Sequence, residues 1–570
     1  MKHAFDYIKK NQVLLFIILP AFFLFMLIIF PSGTFLCFKD ACGINFWGVH
    51  GHDGIWHLAM ASVAFKNMPF ISPTYSGELL YGYNYLLDFL IFILSKIGLP
   101  PIISYFKILP VIWFFSFTLS LVSLAIKINK SKIYVLLFLF YSFFGGSFAY
   151  FLTLWHSKNI EGSSSLMPQP IMHMMSNLPY AFSLIPLLYL LNIIKQGKAT
   201  NRIITLASLN ILIIMGLKFY GGVISIFMML LFILFTFISH KNFKFLISQL
   251  SIVFAFIVLG VLFFYNPALS IKTGSIFGWS PLALVHTITE QPNQFYLQTM
   301  TDARYFLVSH GIGPRLILIE SINILIFLIF YLGSRFFGLL FLIFLLLRRK
   351  ASQFDLIIFL TTIFAFTLTM TLVQKAEWWN TIQFFFYAIF LLTIYLATLT
   401  YEVLRKKKFI SLIIVMLLLL LSVPTALDLI PQFTGLPGAT YISAKEIEAL
   451  AFLKKQPSGI VLTPLYNKEW KMIGKTNPLY AYEDTAYISA MSGQQSYYAN
   501  ELQLRLIGVP YQKRLKKLKS NDCSIITEVN YVYEIKKLPE RDKVLTKCKS
   551  ERVKQIFTNS EVTIYSISKS

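Results

Sequence analysis

The chain has 570 residues, of which 56% are hydrophobic and only 13% are charged, and it contains 56 Phe. A soluble globular protein carries about 25% charged residues, so this composition excludes an ordinary soluble enzyme. The formal net charge is +24, yet no nucleic-acid-binding motif accompanies the basic residues. We therefore predict a polytopic membrane protein with no nucleic-acid partner.

Apolar runs long enough to cross a hydrocarbon core of about 30 Å recur along most of the chain. They lie near 12–31, 102–126, 133–154, 178–195, 203–217, 222–239, 245–265, 315–347, 355–373, 384–404 and 409–428. A further apolar piece at 84–98 is short, and we interpret it as a partly inserted helix. The pattern predicts a mostly α bundle of about 11–13 transmembrane helices.

From about residue 431 the chain becomes polar and Lys-rich. A helix is predicted over 443–455, a strand over 460–463, a basic amphipathic helix over 501–519 and a closing hairpin within 553–567. We therefore predict a transmembrane domain, 1–430, followed by a soluble α/β domain, 431–570.

Basic residues are concentrated in alternate connections, which orients the chain. The short loops at 127–132, 195–202, 240–244, 348–350 and 405–408 are basic and are predicted to be cytoplasmic. The longer connections at 32–82, 155–177, 266–314 and 374–383 then lie outside. We predict a multi-pass protein of the cell membrane with an extracytoplasmic C-terminal domain.

The four cysteines all fall in segments predicted to lie outside. Cys37 and Cys42 are in the first outer loop, and Cys523 and Cys548 are in the outer domain. Two interpretations are open, a disulfide in each place or four unpaired thiols.

The first outer loop, 32–82, holds the most unusual polar segment. Asp53 and His57 are four residues apart, so a helix would place them on one side, and the apolar spacing over 53–66 predicts an amphipathic helix on the membrane surface. Tyrosines including Tyr83 line the return to the membrane, and Asp88 lies inside an apolar run. Taken singly, Asp53 has an alternative interpretation as a helix N-cap, His57 as an interfacial histidine and the tyrosines as anchors.

The first-loop pattern resembles that of GT-C-type membrane glycosyltransferases, which use polyprenyl-phosphate sugars and include protein mannosyltransferases and aminoarabinose transferases. The resemblance is to a bacterial branch with an Asp-x-x-x-His motif and a Pro/Tyr-rich return. The matching segments are Asp53-Gly54-Ile55-Trp56-His57-Leu58, 67–88, Met167-Pro168-Gln169-Pro170, Trp378-Trp379-Asn380-Thr381 and 487–493. The chain departs from that branch at Pro170, where a basic residue is usual, and at Trp379, where an acidic one is usual.

The resemblance implies a role for each matching position. The Asp of the first loop is the usual catalytic base of this superfamily, which implies that Asp53 activates an extracytoplasmic acceptor. His57 is expected to orient Asp53 or to contact the donor phosphate. Substrate-binding positions are expected at Tyr83, Asp88, Gln169, His173, Asn380 and the cations below. The implied donor is a polyprenyl-phosphate-linked sugar.

Such a donor also needs a cation near its departing phosphate. The candidates are Lys218, Lys375, Arg304 and Arg315, and we favour Lys218 because it interrupts two apolar segments at a predicted outer turn. The alternative for Lys218 is snorkelling at the membrane interface.

The sequence indicates less about cofactors than about the donor. Neither a Walker loop nor a dinucleotide glycine fingerprint is present, which fits a lipid-borne donor. A divalent metal bound by Asp53, His57 and another carboxylate is an open alternative, although two ligands do not make a site.

Three other classes of protein share the polytopic composition. A lipid-linked glycan transporter or flippase should show repeated interrupted helices, and the sequence has no such symmetry. A non-catalytic assembly protein leaves the Asp53–His57 pair unexplained. A polysaccharide polymerase or ligase typically depends on basic residues in a large outer loop, so the loop 266–314 keeps that alternative open.

Overall fold

The computed structural model describes residues 2–39, 41–266, 268, 276–539, 543, 548 and 552–568, without the side chains of Ile171 and Met172. Within these residues, nine helices are long and apolar enough to cross a membrane. They are Gln12–Ile29, Pro101–Ile128, Leu178–Gln196, Phe219–His240, Phe243–Tyr265, Pro314–Leu332, Gln353–Thr371, Trp378–Arg405 and Phe409–Thr434.

Three further apolar segments account for most of the difference from the 11–13 spans expected. The pair Lys132–Phe144 and Ala149–Ser157 is bent by 49° and becomes a tenth span if it is counted as one, while Asn201–Leu217 and Arg335–Leu347 are shorter apolar helices. The predicted run 315–347 is thus two helices, which end and begin around Gly333. Leu86–Lys96 has 11 residues, about 17 Å at 1.5 Å per residue, which is too short to cross the core.

The chain divides into two compact units. The first comprises Met1–Phe25, Ile112–Gly260 and Ile276–Pro431, and the second Met26–Val111, Val261–Ser275 and Gln432–Ser570. This division differs from the predicted boundary at residue 430, because the first outer loop belongs to the same unit as the C-terminal segment.

The first unit is built around the helix Ile382–Arg405, whose residues 382–397 are all buried. Arg335 is buried beside it and donates hydrogen bonds to the carbonyls of Tyr141, Gly145 and Gly146. Carbonyls at a helix end lack partners within the helix, so Arg335 stabilises the break after Phe144. This explains why the apolar run 133–154 is a bent pair.

Shorter elements complete the first unit. They are the helices Lys2–Lys10, Ser163–Leu166, Pro170–Ser176, Ala283–Glu290, Gln298–Ser309 and Pro424–Leu427, the 3-10 turn Trp378–Thr381, and the antiparallel strands Phe277–Trp279 and Leu372–Gln374.

Two sheets organise the second unit. The first has the order Thr34–Phe38, Ala41–Phe46, Thr440–Ser443, Asn477–Pro478, so the hairpin of the first loop pairs directly with a C-terminal strand. Gly43 makes this pairing possible, because a Cβ there would lie 1.9 Å from the Ile442 carbonyl oxygen. The second sheet has the order Val553–Thr558, Val562–Ile567, Tyr531–Ile535, Ile460–Leu462, Gln495–Ser496.

The helices of the second unit pack around these sheets. In chain order they are Gly48–Gly51, Asp53–Ala59, Met60–Ala64, Leu86–Lys96, Pro101–Ile103, Ser104–Ile108, Val261–Tyr265, Ala444–Lys454, Lys468–Trp470, Leu479–Tyr482, Tyr487–Ser492, Glu501–Leu506, Gln512–Lys519 and Cys523–Glu528. The predicted helix at 443–455, the strand at 460–463 and the closing hairpin are confirmed. The predicted helix 501–519 is instead two helices, because Gly508 and Pro510 interrupt it.

The structure decides between the two interpretations of the cysteines. Cys37 is joined to Cys42, and Cys523 to Cys548. The first disulfide links paired positions of the hairpin Thr34–Phe38 and Ala41–Phe46.

Candidate active site in the first outer loop

The helix that begins at Asp53 is held inside the second unit. It spans Asp53–Ala59 and continues as a π-helical turn, Met60–Ala64. Every residue from Gly54 to Ala59 is buried, and a Cβ on Gly54 would lie 2.8 Å from the Phe106 ring. The prediction that this helix lies on the membrane surface is therefore wrong, because other protein segments cover the helix on all sides.

Asp53 stands at the exposed end of this buried helix. Its side chain is 36% exposed, and its Oδ1 lies 2.9 Å from Nδ1 of His52. Asp53 is the first residue of the helix, and His52 occupies the N-cap position without a side-chain capping bond. A carboxylate that reaches solvent at one end of a rigid buried element is well placed to meet a substrate.

His52, a residue that the sequence analysis did not single out, is the ionic partner of Asp53. Burial lowers the pKa of His52, but the hydrogen bond to Asp53 and the charges of Asp53, Glu483 and Asp484 outweigh burial and raise the pKa to about 9. At neutral pH the imidazole is therefore protonated and donates to the Asp53 carboxylate. In the sequence, only the position of His52 next to Asp53 could have indicated this pairing.

His57 has a different partner. Its Nδ1 lies 2.8 Å from Oδ1 of Asp88 and both side chains are buried, while its ring stacks on Tyr105 with 5.6 Å between centroids. Burial raises the pKa of Asp88, and the His57 contact partly offsets this. His57 therefore contacts Asp88 rather than Asp53, and Asp88 is buried in this pair.

Tyr83 packs against the same helix from its outer side. Its ring meets Trp56 edge to face with 5.7 Å between centroids, and its backbone N–H donates to the Phe264 carbonyl over 3.2 Å. The tyrosine that was expected to contact substrate therefore also fixes the position of the Asp53 helix.

The C-terminal segment brings two acidic residues near His52. Asp484 accepts hydrogen bonds from the backbone N–H groups of Asn500 and Glu501, at 2.9 and 2.7 Å. Asp484 and Glu483 line a small cleft of about 30 Å³, whose other lining residues include Tyr466 and Trp470. Sequence reasoning missed this contribution because more than 400 residues separate it from His52.

One of the resembling segments contacts the first loop directly. Ser489, within 487–493, donates its hydroxyl to the Pro73 carbonyl over 3.0 Å. Pro73 lies in the Pro/Tyr-rich return, so two segments of the motif pattern meet within the second unit.

Lys218 lies in the first unit between the helices Asn201–Leu217 and Phe219–His240. It is 8% exposed, and its Nζ lies 3.3 Å from Oδ1 of Asn177. The same oxygen accepts from the Tyr180 N–H and caps the helix Leu178–Gln196. The ammonium is therefore held within protein, which argues against the snorkelling alternative.

A polar network follows directly in the chain. The Tyr220 hydroxyl and the Asn380 side-chain amide both donate to Oε1 of Gln374, at 3.0 and 2.7 Å. Asn380 in turn accepts from Gln383. The Trp-rich segment thus lies beside the start of the helix that follows Lys218, whereas Lys375 is exposed.

The remaining expected substrate positions are engaged within the first unit. Gln169 is buried and donates to the Tyr331 carbonyl over 3.1 Å. The ring of His173 lies 4.9 Å from the rings of both Tyr180 and Phe386.

Arg304 is already neutralised. It pairs with Glu290 at 2.6 Å and approaches Glu320 at 3.7 Å. The guanidinium of Arg304, a predicted phosphate ligand, thus has carboxylate partners within this unit.

The possible divalent metal finds no ligand set in the described part of the chain. No three His, Cys, Asp or Glu side chains there are grouped so that they could hold a metal ion. Asp53 has an imidazolium rather than a second carboxylate at hydrogen-bond distance, which disfavours a cation at that point.

Comparison with known proteins identifies the fold. No family model matches the chain, and no curated protein matches it in sequence. The oligosaccharyltransferase of Archaeoglobus fulgidus, in a crystal structure with a tethered acceptor peptide containing the NVT sequon, aligns at a TM-score of 0.50 with 14% identity, over 93% of this chain and 70% of that chain. AglB of the same organism, in complex with an inhibitory peptide and a dolichol-phosphate, aligns at 0.49 with 12% identity, over 92% and 70%.

These neighbours are GT-C-type polytopic membrane glycosyltransferases. The chain is a multi-pass membrane protein with their fold, and the resemblance stated from the sequence is confirmed at that level. At 14% identity the likeness shows architecture alone.

Proposed function

We propose that the protein is a membrane glycosyltransferase that moves a hexose or pentose from a polyprenyl-phosphate donor to an extracytoplasmic glycan, lipid or protein acceptor. The observation that carries the proposal is the Asp53–His52 pair, a partly exposed carboxylate at the end of a buried helix with a protonated histidine 2.9 Å away. Such a carboxylate suits general base chemistry on a substrate that approaches from outside.

The Asp53 carboxylate accepts the proton of an acceptor hydroxyl or amine, and the acceptor oxygen or nitrogen bonds to C1 of the sugar. The bond between C1 and the phosphate oxygen breaks, and the polyprenyl phosphate leaves with both electrons. His52 is a positioning residue here, because its hydrogen bond fixes one oxygen of the Asp53 carboxylate.

The lipid-linked donor is supported by two further points. Solved structures with this fold include one with a bound dolichol-phosphate and one with a tethered acceptor peptide, as stated of those proteins. In this chain Lys218 provides a buried cation for a phosphate, and the Asp53 helix is held by His57 and Tyr83.

A transfer assay tests the proposal directly. Purified protein is mixed with a synthetic polyprenyl-phosphate sugar labelled in the sugar, together with extracted cell-envelope acceptor, and label leaving the lipid fraction is measured. The matched control offers the same sugar as a nucleotide derivative. Transfer from the lipid donor is expected, whereas transfer from the nucleotide alone, or from neither, contradicts the proposal.

Lys218→Met is expected to weaken donor use while leaving the fold intact. The substitution keeps an unbranched apolar chain but removes the charge, and an ion-assisted contact of roughly 1.5–3 kcal/mol corresponds to about 10-fold to 150-fold in kcat/KM for the donor. Lys132→Met, at the start of a helix on the predicted cytoplasmic side, is the matched control. Unchanged donor kinetics in Lys218→Met would remove the phosphate role and leave that of Asp53 standing.

The C-terminal segment 431–570 is expected to lie outside the cell membrane. The basic cluster 405–408 favours a cytoplasmic position for its loop, and the helix Phe409–Thr434 follows it. A cysteine placed at the exposed Lys468 should react with an impermeant maleimide in intact cells, whereas one at Lys406 should react only after lysis. The reverse pattern contradicts the orientation.

A further inference from the structure

A groove in the second unit brings three lysines together. It has a volume of about 520 Å³ and is lined by Lys66, Lys96 and Lys454. No Asp or Glu is among the described residues that line it. Three ammonium groups around one cavity repel one another, and an anion within the cavity relieves that repulsion.

The lysines act on one another as neighbours. Burial lowers the pKa of Lys66, and the charges of Lys96 and Lys454 lower it further. Lys66 donates to the Gly493 carbonyl, and the Lys96 ammonium lies 4.9 Å from the centre of the Phe92 ring. The Lys66 ammonium is thus stabilised by a carbonyl group, and the Lys96 ammonium by an aromatic ring.

Part of the lining is apolar and leads into a membrane span. Phe92, Leu99 and Ile102 line the groove, and the candidate span Pro101–Ile128 begins in this wall. Ile97, which follows the groove residue Lys96 in the chain, has a side chain that is 72% exposed. A basic cavity whose rim enters an apolar span has the polarity profile of a lipid at the membrane surface.

We propose that this groove binds the phosphate headgroup of an anionic membrane lipid, with the acyl chains along Phe92, Leu99 and Ile102. Ser62, Ser95 and Ser492, which also line the groove, supply hydroxyls for the glycerol or headgroup oxygens. The site does not include Asp53, which does not line the groove; the lining residue nearest to it in the chain is Leu58, about 7.5 Å further along the helix. It therefore does not rest on the proposed transferase activity.

The groove also has a structural consequence. It is formed by the Asp53 helix and its π-helical turn, by the segment 92–102, and by the C-terminal residues Lys454 and 490–494. A lipid phosphate bound to all three lysines would link the first loop to the C-terminal segment, so lipid binding should raise the stability of the second unit.

Native mass spectrometry of the delipidated full chain tests the site. The probes are phosphatidylglycerol, phosphatidylcholine and soluble glycerol 3-phosphate. We expect the protein to prefer phosphatidylglycerol over phosphatidylcholine, and we expect the double variant Lys66→Gln/Lys454→Gln to bind phosphatidylglycerol at least fivefold more weakly. The matched control Lys455→Gln/Lys468→Gln removes two exposed lysines outside the groove and should bind like the unmodified protein.

Several results overturn the proposal. Equal binding by the double variant and the control, or equal affinity for the two phospholipids, excludes an anionic lipid site in the groove. Displacement of phosphatidylglycerol by an equal concentration of glycerol 3-phosphate identifies a soluble phosphate as the ligand instead of a lipid. If the double variant does not fold, Lys96→Gln alone provides the same comparison, because Lys96 lies on the surface of the short helix Leu86–Lys96.

Discussion

Replacing Asp53 with Asn is expected to lower the rate of sugar transfer by about 100-fold or more, because the amide keeps the shape of the carboxylate but cannot accept the acceptor's proton. The amide oxygen still accepts a hydrogen bond from His52, so the start of the helix should be unchanged. The measurement is kcat for transfer from a polyprenyl-phosphate sugar by purified protein, together with the thermal unfolding midpoint.

Asp302→Asn is the control for this experiment. Asp302 is an exposed carboxylate in the helix Gln298–Ser309, where it accepts a hydrogen bond from Gln298, and its replacement should leave transfer unchanged. A wild-type rate in Asp53→Asn would show that another group activates the acceptor. A loss of transfer that is accompanied by unfolding would be a failure of structure and would require Asp53→Glu as a second test.

The architecture was predictable because it depends on local composition. Apolar runs of about 20 residues have few alternatives to a spanning helix, and the predicted segments recur in the structure. The errors occur where the local structure depends on a contact with a residue that is distant in the chain. Arg335 stabilises the break after Phe144 by binding carbonyls about 190 positions away in the chain, and no local pattern reports that contact.

The residues of the candidate site were predicted better than the contacts that they make. The four-residue spacing correctly placed Asp53 and His57 in one helix, but spacing does not determine partners. His57 turns to Asp88, 31 positions away, and Asp53 turns to the adjacent His52. Lys218 was predicted at an outer turn, but its contact with Asn177, 41 positions away, was not predicted. Each of these contacts depends on the tertiary fold.

The His57–Asp88 pair gives the site a support that can be measured. Both residues are almost fully buried, at 3% and 0% side-chain exposure, with 2.8 Å between Nδ1 and Oδ1. One lies in the helix that carries Asp53 and the other in Leu86–Lys96. The pair therefore ties the Asp53 helix to the next helix of the first-loop region.

Asp88→Ala is expected to destabilise the second unit by about 3–5 kcal/mol, because it leaves the buried His57 without its hydrogen-bond acceptor. Asp88→Asn retains an acceptor oxygen at the same point and should cost much less. Unfolding in a denaturing detergent, followed by proteolysis of the C-terminal segment, measures the difference. If Asp88 instead binds substrate directly, both variants should remain stable and both should lose transfer activity. That result would assign Asp88 to the active site.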